Sequence, residues 1–316
     1  MSGRLVVGEV LNETFQFGMQ RWSSVFRFAW APLIIAGLIT WGLFQFVFDV
    51  EALEAAEKAA DFSGFDEILN VSPAVAILAG LAGGVLMMAV LAGAFASIYR
   101  LVALGEDRPG FVQLRFDGPA QRVFVAQIIL TLINYGTVLL AVLLGLTFAG
   151  ASIGDFFSSS REFFSLVMQA GQDPNFQPSE EEMQAMAAPI GGVMLGGLIA
   201  APVLIFINIK LAPFVAGSAA ENRLLLFGAY RLTSSYFWPL FGVSALFILA
   251  LFAMAMAFSL AMSFVEVMST LGGSLGFIGS LFSIIGVALS LAYQVFVVGL
   301  QLSFQGIIYR QLKTGQ

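Results

Sequence analysis

FWPLFGVSALFILALFAMAMAFSLAMSFV, residues 237–265, contains no Asp, Glu, Lys or Arg. The hydrocarbon core of a bilayer is about 30 Å thick and accepts about 20 apolar residues as one helix, so this run predicts a membrane-spanning helix. The same criterion picks out six runs along the chain: Phe28 to Phe48, Pro73 to Tyr99, Val123 to Ile153, Pro189 to Ile209, Phe237 to Val265 and Leu275 to Tyr309. The last is much longer than one crossing needs, which predicts tilt or extension past the interface. The first begins near residue 28 and lacks a short apolar segment with a small-residue cleavage site, so it is expected to stay in the mature chain. No loop is long enough to fold alone. A single all-α membrane domain is expected over residues 1–316, divided into 1–105, 106–220 and 221–316.

Composition agrees with that reading. Of the 316 residues, 59% are hydrophobic and 11% charged, with a mean hydropathy of +0.91; soluble domains average about 45 to 50% and about 25%. Histidine and cysteine are both absent. That excludes disulfides, thiolate nucleophiles, Cys/His zinc sites, His-ligated haem and Ser-His or Cys-His catalytic pairs. No Gly-rich phosphate loop or nucleic-acid motif is visible. Accordingly no catalytic residue, metal site, cofactor or nucleic-acid partner is expected.

Orientation follows from the flanking charges, because Lys and Arg near short loops are retained on the cytoplasmic side. An even number of spans puts both termini together. With them fall 12 of the 14 basic residues: Arg4, Arg21, Arg27, Arg100, Arg108, Arg115, Arg122, Lys210, Arg223, Arg231, Arg310 and Lys313. The opposite side holds only Lys58 and Arg161, together with 14 of the 20 acids, in Asp49 to Glu67, Asp155 to Glu182 and Glu266. Both termini are expected in the cytoplasm of a bacterial inner membrane. Arg21, Arg27, Arg100, Arg231 and Arg310 are expected to meet anionic lipid headgroups.

Before the first span, Val7, Val10, Leu11, Phe15, Trp22, Val25 and Phe26 recur at near-helical spacing opposite Glu9, Asn12, Glu13, Gln16, Gln20 and Arg21. This pattern predicts a helix in the interface plane. Asn222 to Ser235 is a second such candidate. The two share a pattern: FGMQRWSS at 17–24 matches FGAYRLTS at 227–234, an offset of 210. At the same offset Asn12 meets Asn222, and Ile98-Tyr99-Arg100 meets Ile308-Tyr309-Arg310. A parallel internal repeat is expected, pairing spans one and two with spans five and six, each preceded by an interfacial helix. The loops Asp49 to Ser72 and Gly154 to Ala188 are expected to carry short amphipathic helices, with Pro178-Ser179 before Glu180, Glu181 and Glu182 as an N-terminal signal.

Polar groups inside a bilayer are costly and mark candidate sites. Gln127, Thr131 and Asn134 lie at i, i+4 and i+7 on span three, and Gln294, Gln301 and Gln305 share a face of span six. Asn208 and Lys210 end span four. Two readings stay open: a polar vestibule facing the cytoplasm, with Lys210 meeting a phosphate or carboxylate, or amides that bind helices to one another with Lys210 reaching for the interface. The glycine groups Gly80, Gly83, Gly84 and Gly191, Gly192, Gly196, Gly197 read as close helix packing rather than a lipid or ion path. Asp117-Gly118 with Arg122 resembles the start of the phosphatidyl-alcohol transferase signature. Gln121 and the lack of the downstream aspartates break the match. Glu180 to Glu182 resembles the glutamate pair of intramembrane CAAX-type proteases, which also need histidines.

LAPFVAGSAAENRLLLFGAYRLTSSYFWPLFG (Leu211 to Gly242), with the opening VGEVLNETF (Val7 to Phe15), resembles bacterial six-span proteins related to the membrane domain of glycerophosphodiester phosphodiesterases. In that family any phosphodiesterase activity belongs to a separate soluble barrel, and no catalytic residue carries over. The resemblance implies a stand-alone inner-membrane protein. The expectation is a non-catalytic, lipid-contacting scaffold or partner subunit in envelope or lipid homeostasis, with membrane lipids and a protein partner or second copy as its company. The alternative is a small-molecule or lipid transporter using the vestibule.

Overall fold

The structure is a computed structural model that describes residues 6–52, 68–107, 114–154, 158, 179–272 and 277–315. The described residues form helices α1 (Val7–Gln20), α2 (Trp22–Val47), α3 (Pro73–Leu104), α4 (Gly118–Phe148), α5 (Glu180–Lys210), α6 (Phe214–Glu221), α7 (Leu226–Leu232), α8 (Phe237–Gly272) and α9 (Phe277–Thr314). Among them there is no strand, only an isolated bridge between Phe48 and Leu69. Six helices are long and apolar enough to cross a membrane. Helix is what these sequences must form there, since hydrocarbon offers no partner for a backbone N–H or C=O and only intrahelical bonding satisfies both. Between 6% and 22% of each span's apolar window is buried inside the protein, so lipid or another protein must cover the rest.

Helix boundaries run past the uncharged stretches. α4 starts at Gly118, ahead of Arg122, with Asp117 Oδ1 accepting from Ala120 N–H at 3.2 Å. α5 starts at Glu180 and continues without interruption through Pro189 and Pro202. The signal expected to open a short loop helix therefore opens the span itself. Both prolines follow a full helical turn, and neighbouring groups in a membrane helix can absorb the lost hydrogen bond. At about 1.5 Å per residue, the 36 residues of α8 and 38 of α9 span over 50 Å, well beyond one hydrocarbon core. The expectation of short helices in the loops falls otherwise on 53–67, 155–157 and 159–178, outside the described residues.

The chain divides into two compact units. Unit 1 comprises Met1–Ala36, Met88–Gln127 and Asn208–Gln316, and unit 2 comprises Gly37–Met87 and Ile128–Ile207. Unit 1 holds the starts of α2 and α4, the ends of α3 and α5, and the whole of α8 and α9. For α2 to α5 that is what an alternation of up and down spans requires. Among the described residues, Arg21, Arg27, Arg100, Arg115, Arg122, Lys210, Arg223, Arg231, Arg310 and Lys313 belong to unit 1, whereas the opposite-side acids Asp49, Glu51 and Glu180 to Glu182 belong to unit 2.

In unit 1, α9 packs along α8, α1 and α6. Its fully buried side chains include Phe28, Ile98, Tyr99, Phe214, Leu240, Leu300, Ile307, Ile308 and Tyr309. Phe247 stacks on Phe304 with centroids 4.2 Å apart, and Phe258 on Tyr293 at 3.9 Å. α1 is the helix expected before the first span, and it is docked on the protein. It buries Val10, Thr14 and Gly18, one row at i, i+4 and i+8, against α8 and α9, and a Cβ on Gly18 would lie 2.6 Å from Leu300 Cδ2. The larger apolar residues Val7, Leu11 and Phe15 flank this row half-buried. Asn222 to Ser235, by contrast, is not one helix. Asn222 takes a left-handed φ of 51°, the chain turns, and α7 covers only Leu226–Leu232. Asn tolerates that region better than most residues.

Unit 2 is built on close helix crossings. A Cβ on Gly196 would lie 2.7 Å from Ala141 O and from Val142 Cα, and one on Gly192 would lie 2.9 Å from Leu146 Cα. Gly145 faces the backbone of Gly192 and Gly196 in turn. Close backbone contact is what small residues permit in a bilayer, where dispersion replaces the hydrophobic effect as the force between helices. Of the other glycines in the two groups, Gly83 faces Leu43, while Gly80, Gly84, Gly191 and Gly197 face open space. The loop after α2 is closed at its base by Asp49 N–H to Ile68 O at 2.8 Å and Asn70 N–H to Val47 O at 3.0 Å.

Candidate functional site

The basic end of unit 1 concentrates the polar chemistry of the described residues. The six acids expected on the same side as the basic residues, Glu9, Glu13, Glu106, Asp107, Asp117 and Glu221, all belong to unit 1. Four of them are taken up in ion pairs. Arg27 pairs with Asp107, which also accepts from Ser24 Oγ at 3.4 Å. Arg100 pairs with Glu106 at 2.6 Å and donates from Nη1 to Ala219 O at 3.2 Å. Arg310 pairs with Glu13 and donates from Nη1 to Val102 O at 3.2 Å, while Gln311 Nε2 donates to Glu13 at 3.1 Å. Glu221 accepts from Tyr309 Oη at 2.7 Å and from Lys313 Nζ at 2.9 Å, and pairs with Arg223.

Lys210 is the buried cation of this end. Its Nζ donates to the carbonyls of Thr233 and Ser234, each at 3.2 Å, and lies 5.4 Å from the Tyr230 ring centre and 5.7 Å from that of Phe237. Thr233 Oγ1 returns a hydrogen bond to Lys210 O at 2.9 Å. The ammonium thus fastens the end of α5 to the turn between α7 and α8. Two rings and two carbonyl dipoles offset the cost of burying it.

Tyr99 and Tyr309, at matching positions of the two Ile-Tyr-Arg segments, are each 2% exposed. Tyr99 Oη donates to Gln305 Oε1 at 2.5 Å. A buried tyrosine that keeps its hydroxyl satisfied is a common way to fix helix register. A cleft of about 450 Å³ lies beside these groups, lined by Glu9, Asn12, Glu13, Gln16, Arg310 and Gln311.

The candidate vestibule residues are placed as follows. Gln305 is the acceptor of Tyr99, and Gln294, Gln301 and Asn208 are exposed. Gln127 is half-buried, with a buried Oε1 that has no hydrogen-bond partner among the described residues. These residues and Lys210 belong to unit 1, whereas Thr131 and Asn134 belong to unit 2 and are half-buried there. Within unit 1, Lys210 and Gln305 are bound to separate partners rather than to each other. Of the candidate headgroup arginines, Arg27, Arg100 and Arg310 hold carboxylates, and Arg21 and Arg231 are exposed.

Charge counting grouped these basic residues, but their partners were missed. For Glu13, Asp107 and Glu221 the only signal of pairing was that six acids fell on the side dominated by basic residues, and the repeated Ile-Tyr-Arg segment did not announce the hydrogen bond of Tyr99. The partners of Lys210 are backbone carbonyls, which no residue type announces. No family model, curated protein or solved structure matches the chain.

Proposed function

We propose that this is a non-catalytic multi-pass protein of a bacterial cytoplasmic membrane, with both termini in the cytoplasm, that contacts anionic lipid and serves as a scaffold or partner subunit in envelope or lipid homeostasis. The observation that carries this reading is the basic end of unit 1. Its internal arginines and Lys210 are engaged by carboxylates and carbonyls, which makes them structural ties, while Arg21, Arg115, Arg122 and Arg231 remain exposed toward the side where headgroups lie. The absence of His and Cys from the sequence removes thiolate nucleophiles and imidazole bases. Kinship to the membrane domain of glycerophosphodiester phosphodiesterases and a parallel duplication at an offset of 210 belong to the same proposal. In favour of the duplication, Tyr99 and Tyr309 are equally buried, and Arg100 and Arg310 each donate Nη1 to a main-chain carbonyl.

Transport is the second reading, favoured by the orphaned Gln127 Oε1, a buried acceptor on the stripe that continues to Thr131 and Asn134. Native mass spectrometry of protein released from native-lipid nanodiscs separates the two. Anionic lipid retained by the wild type and by Lys210→Ala and Asn134→Leu, but reduced in Arg21→Gln with Arg231→Gln, supports the scaffold reading. A stoichiometric species lost in Lys210→Ala and Asn134→Leu supports transport. Because the chain has no cysteine, single cysteines at Ser2, Ser160 and Gln316 test orientation in intact cells. An impermeant maleimide should label only position 160.

A further inference from the structure

Unit 1 leaves one aromatic and cationic surface uncovered at the α7–α8 junction. Phe227 is 86% exposed and Trp238 74%, and Tyr230, Arg231 and Ser234 between them are exposed as well. Arg231 has no ion-pair partner among the described residues, although four acids of this end are paired with other cations. The turn beside it is made more positive by Lys210, whose ammonium is bonded to the carbonyls of Thr233 and Ser234.

The matching segment 17–24 is covered in part by the protein. There Ser24, the counterpart of Ser234, is buried and donates to the Asp107 carboxylate, and Phe28, the counterpart of Trp238, is fully buried, while Arg21, the counterpart of Arg231, stays exposed. An acid from the chain itself reaches that segment at Ser24. At Ser234 the hydroxyl instead donates to Arg231 O, and no carboxylate is beside it among the described residues.

Depth argues for a lipid. From Phe237 the chain is uncharged to Val265, so the hydrocarbon begins close to the start of α8. Trp238, in the first turn of that helix and in ring contact with Phe237 and Phe241, stands at the interfacial depth where Trp is enriched. Arg231 lies just before the turn that leads into the span, at headgroup level. A guanidinium can hold a phosphate through two parallel hydrogen bonds, and aromatic rings tolerate the mixed polarity of the glycerol region.

We propose that the α7–α8 junction is a binding site for an anionic phospholipid, with Arg231 on the headgroup phosphate and Phe227 and Trp238 against the glycerol and upper acyl chains. This rests on the lipid-contacting reading above and narrows it to one place. The test uses the full chain with Trp22, Trp30 and Trp41 changed to Phe, so that Trp238 alone fluoresces. It is reconstituted in mixed phosphatidylglycerol and phosphatidylcholine vesicles in which one lipid or the other is brominated. Brominated phosphatidylglycerol should quench Trp238 in preference to brominated phosphatidylcholine. Arg231→Gln should weaken that preference about fivefold, the factor expected for one basic residue at an anionic surface, and Arg231→Lys should keep most of it. Inorganic phosphate should not compete. Equal quenching by the two lipids, a preference that survives Arg231→Gln, or competition by phosphate overturns the proposal. If the triple replacement does not fold, spin-labelled lipids report the same selectivity on the protein with all its tryptophans. An unselective junction in a protein that still retains anionic lipid by mass spectrometry overturns this site alone. Absence of retained anionic lipid overturns both readings.

Discussion

Replacing Gly196 by Ala should destabilise unit 2, whereas the same replacement at the next residue, Gly197, should not. The added Cβ at 196 would lie 2.7 Å from Val142 Cα and from Ala141 O. Carbon atoms pack best about 3.5 to 4.0 Å apart, so α4 and α5 would have to separate by about 1 Å. Neither obstructing atom belongs to a side chain that can rotate aside. Overpacking of this kind costs about 1 to 3 kcal/mol, and the gain of Ala over Gly within a helix returns about 0.5 to 1 kcal/mol. The midpoints of these ranges give a net loss of about 1 kcal/mol. At Gly197 nothing lies within 4 Å, which leaves only the helix gain and predicts a change from zero to about 1 kcal/mol in the stabilising direction. Unfolding by sodium dodecyl sulfate in mixed micelles, followed by circular dichroism, measures both. Midpoints that shift alike in the two variants, or a silent Gly196→Ala, would refute the packing argument.

Three further outcomes follow from the polar end. Lys210→Met should cost about 1 to 3 kcal/mol, because the buried Thr233 carbonyl loses a charged donor, and proteolysis should begin in the 233–236 turn; an unchanged midpoint would mean that the ammonium is not a structural tie. A double-mutant cycle on Glu13→Gln and Arg310→Gln should give a coupling of only about 0.2 to 1 kcal/mol, since both side chains are more than a third exposed and solvent screens the pair. A larger value would show that Val102 and Gln311 make the cluster cooperative. Gln127→Leu removes a buried acceptor without a partner and should leave thermal stability unchanged or raised, whereas a loss above about 1 kcal/mol would reveal an occupant and strengthen the transport reading.

The spans were legible because a bilayer imposes a length and forbids charge, and the six uncharged runs each yielded a long helix. Their ends were less so. An absence of charge marks where hydrocarbon begins, not where the helix does, and α4 and α5 both start several residues earlier, at Gly118 and Glu180. For α1 the helix was visible in the spacing of Val7, Val10, Leu11 and Phe15, but its docking was not. The row that packs is Val10, Thr14 and Gly18, whose small side chains allow close approach and carry little weight in a pattern of hydrophobicity. At the candidate site, charge counting grouped the basic residues on one side. It could not distinguish arginines held by carboxylates, such as Arg27 and Arg310, from those left exposed, such as Arg231, because that depends on which loop returns an acid to which helix.

Arg310 and Glu13 are separated by 297 residues. α1 precedes α8 and α9 in the chain, so during synthesis the groove that receives Val10, Thr14 and Gly18 is incomplete until those two helices have been inserted. Until then α1 must wait at the membrane surface with its apolar row uncovered. Its amphipathic pattern suits that interval, since it gives the segment a tolerable place to rest before its partner exists. Docking of α1 is accordingly a late event in the assembly of unit 1, and burial of its row of small residues becomes a marker of whether α8 and α9 are in place.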